Sequence, residues 1–166
     1  SNTGNSNLFA GVDAGTNNAG EFNAFFGALS GQTNSSGNSN SFFGSNSGQA
    51  NTSGANNSFF GKDAGATNTV GGGNSFFGTR AGLNNDSASN NSFFGYLSGA
   101  NNSEGFDNSF YGMEAGFSIT TGASNSFFGK GAGYRTVTGA NNSFFGTSAG
   151  INSVSGSENV FFGFES

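Results

Sequence analysis

Two carboxylates held close together can work as a general acid and a general base, and Glu104 with Asp107 is the closest such pair in the chain. Nothing beside them is of a type that would tune a pKa, so the pair reads as a solvated turn. Calcium-binding β-rolls need an Asp in every turn to hold metal between coils. Asp13, Asp63, Asp86 and Asp107 do not recur at one position, so a specific calcium site is not expected. With no His and no Cys, the chain lacks the means for a Ser-His-Asp or Cys-His site, for a zinc site with the usual ligands, and for disulfides. Its many glycines imitate phosphate-cradling loops, but none follows a strand and opens a helix with a Lys in place. The expectation is a protein with no catalytic residue, metal or cofactor, and not an enzyme.

Binding classes narrow in the same way. Four basic residues, Lys62, Arg80, Lys130 and Arg135, stand against nine acidic ones for a net charge of −5, the wrong sign for a phosphate backbone. No nucleic-acid partner is expected. No apolar run nears the roughly 18 residues that span a bilayer, so membrane insertion is not expected either. The start, Ser1-Asn2-Thr3-Gly4, has neither Met nor a signal-peptide core, and the chain reads as a soluble, processed or excised piece. Tyr96, Phe106, Phe117 and Tyr134 lie outside the repeated aromatic pair described next. They read either as sugar- or surface-binding contacts or as packing over turns. Sequons such as Asn56-Asn57-Ser58 read as by-products of composition.

About half of the 166 residues are Gly, Asn or Ser, and Phe, with 22 copies, is the main apolar residue. Such a chain favours turns over helix interiors and cannot build an ordinary globular core. What organises it is an internal repeat. A Gly closes a Phe-rich run at Gly11, Gly27, Gly44, Gly61, Gly78, Gly95, Gly112, Gly129, Gly146 and Gly163, a spacing of 17 residues after one of 16. The consensus is Asn-Ser-Phe-Phe-Gly-x-x-Ala-Gly-x-x-Asn-Thr-x-Gly-x-x. It covers residues 1–166 as a single domain of ten copies, with a second glycine column from Gly15 and a third from Gly4. Neither end shows an atypical capping copy, so the chain is expected to be a segment of a longer fibre or to associate end to end.

A fixed period over ten copies is a coil length, because a disordered chain has no reason to hold its Phe pairs in register. Apolar residues never fall at helical spacing, so the unit is β. The expected fold is all-β, a parallel β-solenoid or β-roll of about ten 17-residue coils with rungs about 4.8 Å apart. Like residues then stack into ladders: Asn40, Asn57 and Asn142 as amides; Phe42, Phe59 and Phe144 with Phe43, Phe60 and Phe145 as aromatic stacks; Gly44, Gly61 and Gly146 between them. The Asn-Thr-x-Gly stretch is expected to form the turn with positive φ, and the Ala-Gly positions to let backbone approach backbone. Asp63 and Arg80, 17 apart, are expected side by side as an inter-coil pair.

Successive strand residues point to opposite faces, so one Phe of each pair faces outward. A stripe of such rings is expected to be hidden by a homo-oligomer, most simply a closed trimer of parallel rods. The alternative is a bulge that turns both rings inward.

The nonapeptide Asn-Ser-Phe-Phe-Gly-x-x-Ala-Gly, clearest at 57–65 and 142–150, resembles the Asn-Thr-Phe-Leu-Gly-x-x-Ala-Gly repeats of bacterial surface proteins and phage tail fibres. It is more distantly similar to the repeats of trimeric autotransporter adhesin heads. That resemblance implies homotrimeric parallel β-rolls, extracellular and adhesive. This coil is longer than the adhesin-head unit and carries Phe-Phe where that family has a spaced aliphatic pair.

The expected function is a structural or adhesive segment, shaft or head, of an extracellular fibre with itself as partner. A self-polymerising functional amyloid is the alternative, on the Asn and Phe ladders and the lack of Pro. A disordered phenylalanine-glycine repeat is disfavoured by the rigid spacing. Ice binding is disfavoured because the column of Thr52, Thr69 and Thr120 also holds Asp86, Val137 and Val154.

Overall fold

A computed structural model describes residues 6–166. Gly4, placed above at the head of the third glycine column, lies outside them. The chain winds as an all-β parallel β-solenoid of about nine turns, with no helix among the described residues. Ten three-residue strands lie in chain order in one sheet: β1 (Leu8–Ala10), β2 (Ala24–Phe26), β3 (Ser41–Phe43), β4 (Ser58–Phe60), β5 (Ser75–Phe77), β6 (Ser92–Phe94), β7 (Ser109–Tyr111), β8 (Ser126–Phe128), β9 (Ser143–Phe145) and β10 (Val160–Phe162). Every neighbouring pair is parallel and in repeat register; Phe42 faces Phe59 and Phe59 faces Phe76.

The strands are short, ended by a glycine of positive φ such as Gly44 (φ 137°), yet hydrogen bonds between rungs continue around the rest of the coil. Ser41 N–H donates to Asn57 O at 2.8 Å, Gly48 N–H to Ala64 O at 3.0 Å, Thr52 N–H to Thr69 O at 2.8 Å, and Asp63 N–H back to Ser45 O at 2.9 Å. A chain too polar for a globular core thus satisfies its backbone by stacking. Between strand and far wall run three overlapping β-turns. In the third coil Ser47 N–H donates to Gly44 O, Gln49 N–H to Asn46 O and Asn51 N–H to Gly48 O. Asn46 and Gly48 stand third in the first two turns with φ of 58° and 55°, as a type II turn requires.

Two expectations about glycine are corrected here. Positive φ does not fall on the Asn-Thr-x-Gly glycines such as Gly54; it falls two residues later, at Asn56 (φ 59°). Gly54 is small for another reason: a Cβ there would meet Gly71 O of the next coil and the Asn51 amide. Nor does the Ala-Gly glycine mediate backbone approach. A Cβ on Gly65 would strike the Phe59 ring at 2.5 Å, so this glycine makes room for the aromatic core. Backbone meets backbone at the glycine closing the strand. A Cβ on Gly78 would lie 2.5 Å from Gly95 O, with φ at 143°.

The core is one residue wide. Phe25, Phe42, Phe59, Phe76, Phe93, Phe110, Phe127 and Phe144 are fully buried, flanked by alanines such as Ala64 and Ala81. Their rings stack face to face with centroids 4.7–4.9 Å apart, inside the range for favourable aromatic pairs.

Candidate functional site

The residues singled out as ladders are brought together as expected, and a ladder not anticipated joins them. Each strand asparagine accepts from the next one along: Asn40 Oδ1 takes the Asn57 N–H at 2.9 Å. Its amide reaches across the coil, Asn40 Nδ2 to Gly54 O and Asn57 Nδ2 to Gly71 O, both at 2.8 Å. Opposite them runs a second buried amide column, Asn18, Asn34, Asn51, Asn68, Asn85 and Asn102. Asn51 Nδ2 donates to Asn34 Oδ1 of the preceding coil at 2.5 Å and to Gly54 O at 3.0 Å. The two columns therefore clasp the same carbonyl from both sides, which replaces most of the polar hydration that burial of the amides removes.

In the sequence this second column shows only as turn residues, because Asn is a turn former and the column is broken at Ile119, Thr136 and Ser153. Its signal in the sequence is six asparagines at the repeat spacing with an apolar residue, Ile119, next in the column; the structure buries that isoleucine fully. The break leaves a mark. Asn102 Oδ1 is the buried side-chain polar atom without a hydrogen-bond partner among the described residues, since Ile119 brings no donor where the next amide would stand. Beyond it the strand column adds a direct rung bond, Asn125 Nδ2 to Asn108 Oδ1 at 3.1 Å and Asn142 Nδ2 to Asn125 Oδ1 at 3.0 Å. Two substitutions should then differ sharply in urea unfolding. Ile119→Asn exchanges apolar burial for the missing donor and should stay within about 1 kcal/mol of the parent. Asn68→Ile leaves Asn51 Oδ1 without its donor and the Asn85 amide with Ala88 O as its one remaining acceptor, and should cost about 2–4 kcal/mol.

On the outer wall the second Phe of each pair forms its own stack. Phe26, Phe43, Phe60, Phe77 and Phe94 continue through Tyr111 to Phe128, Phe145 and Phe162, with centroids 4.7–5.0 Å apart. One ring in, one ring out is the alternation expected, and among the described residues no bulge turns both inward. The area left open is smaller than expected, however. Each ring lies against its neighbours and shows mainly an edge, so Phe43 to Phe94 and Phe128 and Phe145 are half-buried; only Tyr111 at 37% and Phe162 at 69% count as exposed. Beside this column on the same face runs another, Ser41, Ser58, Ser75, Ser92, Ser109, Ser126 and Ser143, also half-buried.

Asp63 and Arg80 meet as expected, Arg80 Nε to Asp63 Oδ2 at 3.6 Å, and Asn46 Nδ2 donates to Asp63 Oδ1 at 2.8 Å. Arg80 is 49% exposed, so Arg80→Ala should cost less than about 1 kcal/mol, with the difference shrinking in salt. Glu104 and Asp107 are both exposed, and no group of three or more metal-ligating side chains occurs among the described residues. Tyr96 and Phe106 are exposed, while Phe117 and Tyr134 stack on each other at 5.1 Å. The hydroxyls of the threonine column turn to the next rung, Thr52 Oγ1 to Thr69 O at 3.0 Å. An open groove of about 510 Å³ on the last coil is lined by Ile151, Asn159, Phe161 and Glu165 among others. Among the described residues no helix is long and apolar enough to cross a membrane. Comparison with known proteins finds no match among family models, curated proteins or solved structures.

Proposed function

We propose that the chain is a structural rod, a shaft or head segment of an extracellular fibre on a cell or virion surface, whose task is to hold length and present a repeating face. The observation that carries this reading is the uninterrupted run of the strand ladder and of the inner ring stack. Strand pairing and inner-ring stacking continue from β1 to β10 without a gap, so every coil braces its neighbours, as in a one-dimensional solid. The resemblance of the repeat to those of bacterial surface and tail-fibre proteins supports the setting. Immunogold labelling of the source cells or virions with an antibody to this chain tests it. Label along surface filaments is the expected result, and label confined to the cell interior overturns it.

The same ladders favour one second reading, a filament that polymerises through its own rungs, since amide and aromatic stacks are how cross-β fibrils cohere. Sedimentation separates the two. A discrete particle at all concentrations supports the fibre segment, and open-ended growth with a 4.7–4.8 Å fibre reflection supports the filament.

A further inference from the structure

We propose that the outer sheet face, the paired Ser and Phe columns, docks a second copy of this chain side by side, sheet against sheet. The proposal deepens the rod reading and rests on it. Three features of the face carry it.

The face is free of charge. None of the ten strands contains an acidic or basic residue, so all thirteen charges of the chain sit elsewhere on the coil, as at Lys62, Asp63, Arg80, Asp107, Lys130 and Glu158. A charge-depleted, aromatic centre with charges kept to the margin is the composition of an interface core.

Its area suffices. The exposed ring edges alone are no more than a monomer tolerates, a few hundred Å² at most. The whole face is larger: about nine rung spacings of ~4.8 Å by about five residues of ~3.3 Å, or roughly 700 Å². Two copies face to face would bury roughly 1,400 Å², which falls in the range of specific interfaces.

Its period selects the occupant. The rings repeat every 4.7–5.0 Å from β2 to β10, while the column two residues on varies freely through Val12, Ala28, Ser45, Lys62, Thr79 and Tyr96. A small ligand would need the aromatic only at one or two coils. A second copy has the same rung spacing and meets every ring of the column with an equivalent one. Packing at the usual ~10 Å between sheets sets the ring edges of one copy against those of the other.

Analytical ultracentrifugation of the 166-residue chain, with two variants, tests this. The parent should sediment at twice the chain mass at micromolar concentration. Ser75→Lys combined with Ser126→Lys places two distant charges on the face and should lower the mass to that of one chain, with the β circular dichroism unchanged. Thr67→Lys combined with Asn152→Lys, on another wall, should leave the assembly intact. A parent that stays monomeric to about 100 μM, or an assembly indifferent to the serine variant, overturns the proposal. Should the serine variant fail to fold, a photo-crosslinking residue at Ser92 in the otherwise native chain decides. Cross-links to strand residues of a second copy uphold the proposal, and their absence from an assembly that a probe at Thr67 does capture overturns it. Small-angle scattering of the monomeric form still reports a rod about 45 Å long, so failure of the docking face is separable from failure of the rod.

Discussion

Gly78→Ala should abolish the folded rod, whereas Gly131→Asn should leave it standing. Both glycines have positive φ, at 143° and 65°, but only the first is irreplaceable. At 143° the backbone lies in a region essentially closed to side-chain-bearing residues. The added methyl would also lie 2.5 Å from Gly95 O. That oxygen is backbone and cannot swing away: the N–H of Gly95 itself donates to Phe77 O at 2.8 Å, so relief requires parting two rungs. A cost of at least ~4 kcal/mol is expected, comparable to the whole stability of a marginal chain. Gly131 has the ordinary left-handed conformation that Asn46, Asp63 and Ser148 adopt at the same position of their coils, and a Cβ there meets only Ser148 Oγ at 3.8 Å. Asparagine accepts that conformation readily, and fewer unfolded conformers offset part of any strain. Urea midpoints of the two variants should therefore fall far apart, with Gly131→Asn within about 1 kcal/mol of the parent. Equal effects would mean that the rungs are not pressed together at the end of each strand.

The second large effect concerns the two rings of one dipeptide. Phe76 is fully buried, stacked between Phe59 at 4.7 Å and Phe93 at 4.9 Å, and seated on Gly82. Phe76→Ala opens a cavity closed on every side and should cost about 3–5 kcal/mol. Phe77 is stacked as closely, between Phe60 at 4.7 Å and Phe94 at 4.8 Å, but its edge faces outward, so water refills the space. Phe77→Ala should cost about 1–2 kcal/mol when measured below the concentration at which copies associate. The ratio is the informative quantity. Similar losses for the two would contradict the division of the pair into an inner and an outer column.

The coil length, the strand and the opposed rings were legible in the sequence because each follows from spacing alone. A constant 17-residue return fixes which residues lie over which, and alternation in a strand fixes which Phe enters. What spacing does not carry is the path between strands. Glycine at a repeat position signals that a side chain is unwelcome, but not whether φ and a neighbour's carbonyl both forbid it, as at Gly78, or contacts alone do, as at Gly54. The buried amides of Asn51 and Asn68 were hidden by the same ambiguity, since asparagine serves turns and ladders alike. Ile119 was the clue, an apolar residue that a solvated turn would not bury. Taken singly an outward ring would lie open, but stacked at 4.7–5.0 Å the rings cover one another. The candidate interface thus emerged from its lack of charge rather than from the apolar excess first expected.

Pulsed electron-electron distance measurement between spin labels tests the winding most directly. Asn17, Asn84, Arg135 and Asn152 are exposed and occupy the same position of coils one, five, eight and nine. Labels at Asn17 with Asn84, with Arg135 and with Asn152 span four, seven and eight rungs, so the mean distances should rise in step to about 19, 34 and 38 Å, each narrowly distributed. Distances that do not grow linearly with coil number, or broad distributions typical of an unfolded chain, would contradict a single rod wound once every seventeen residues.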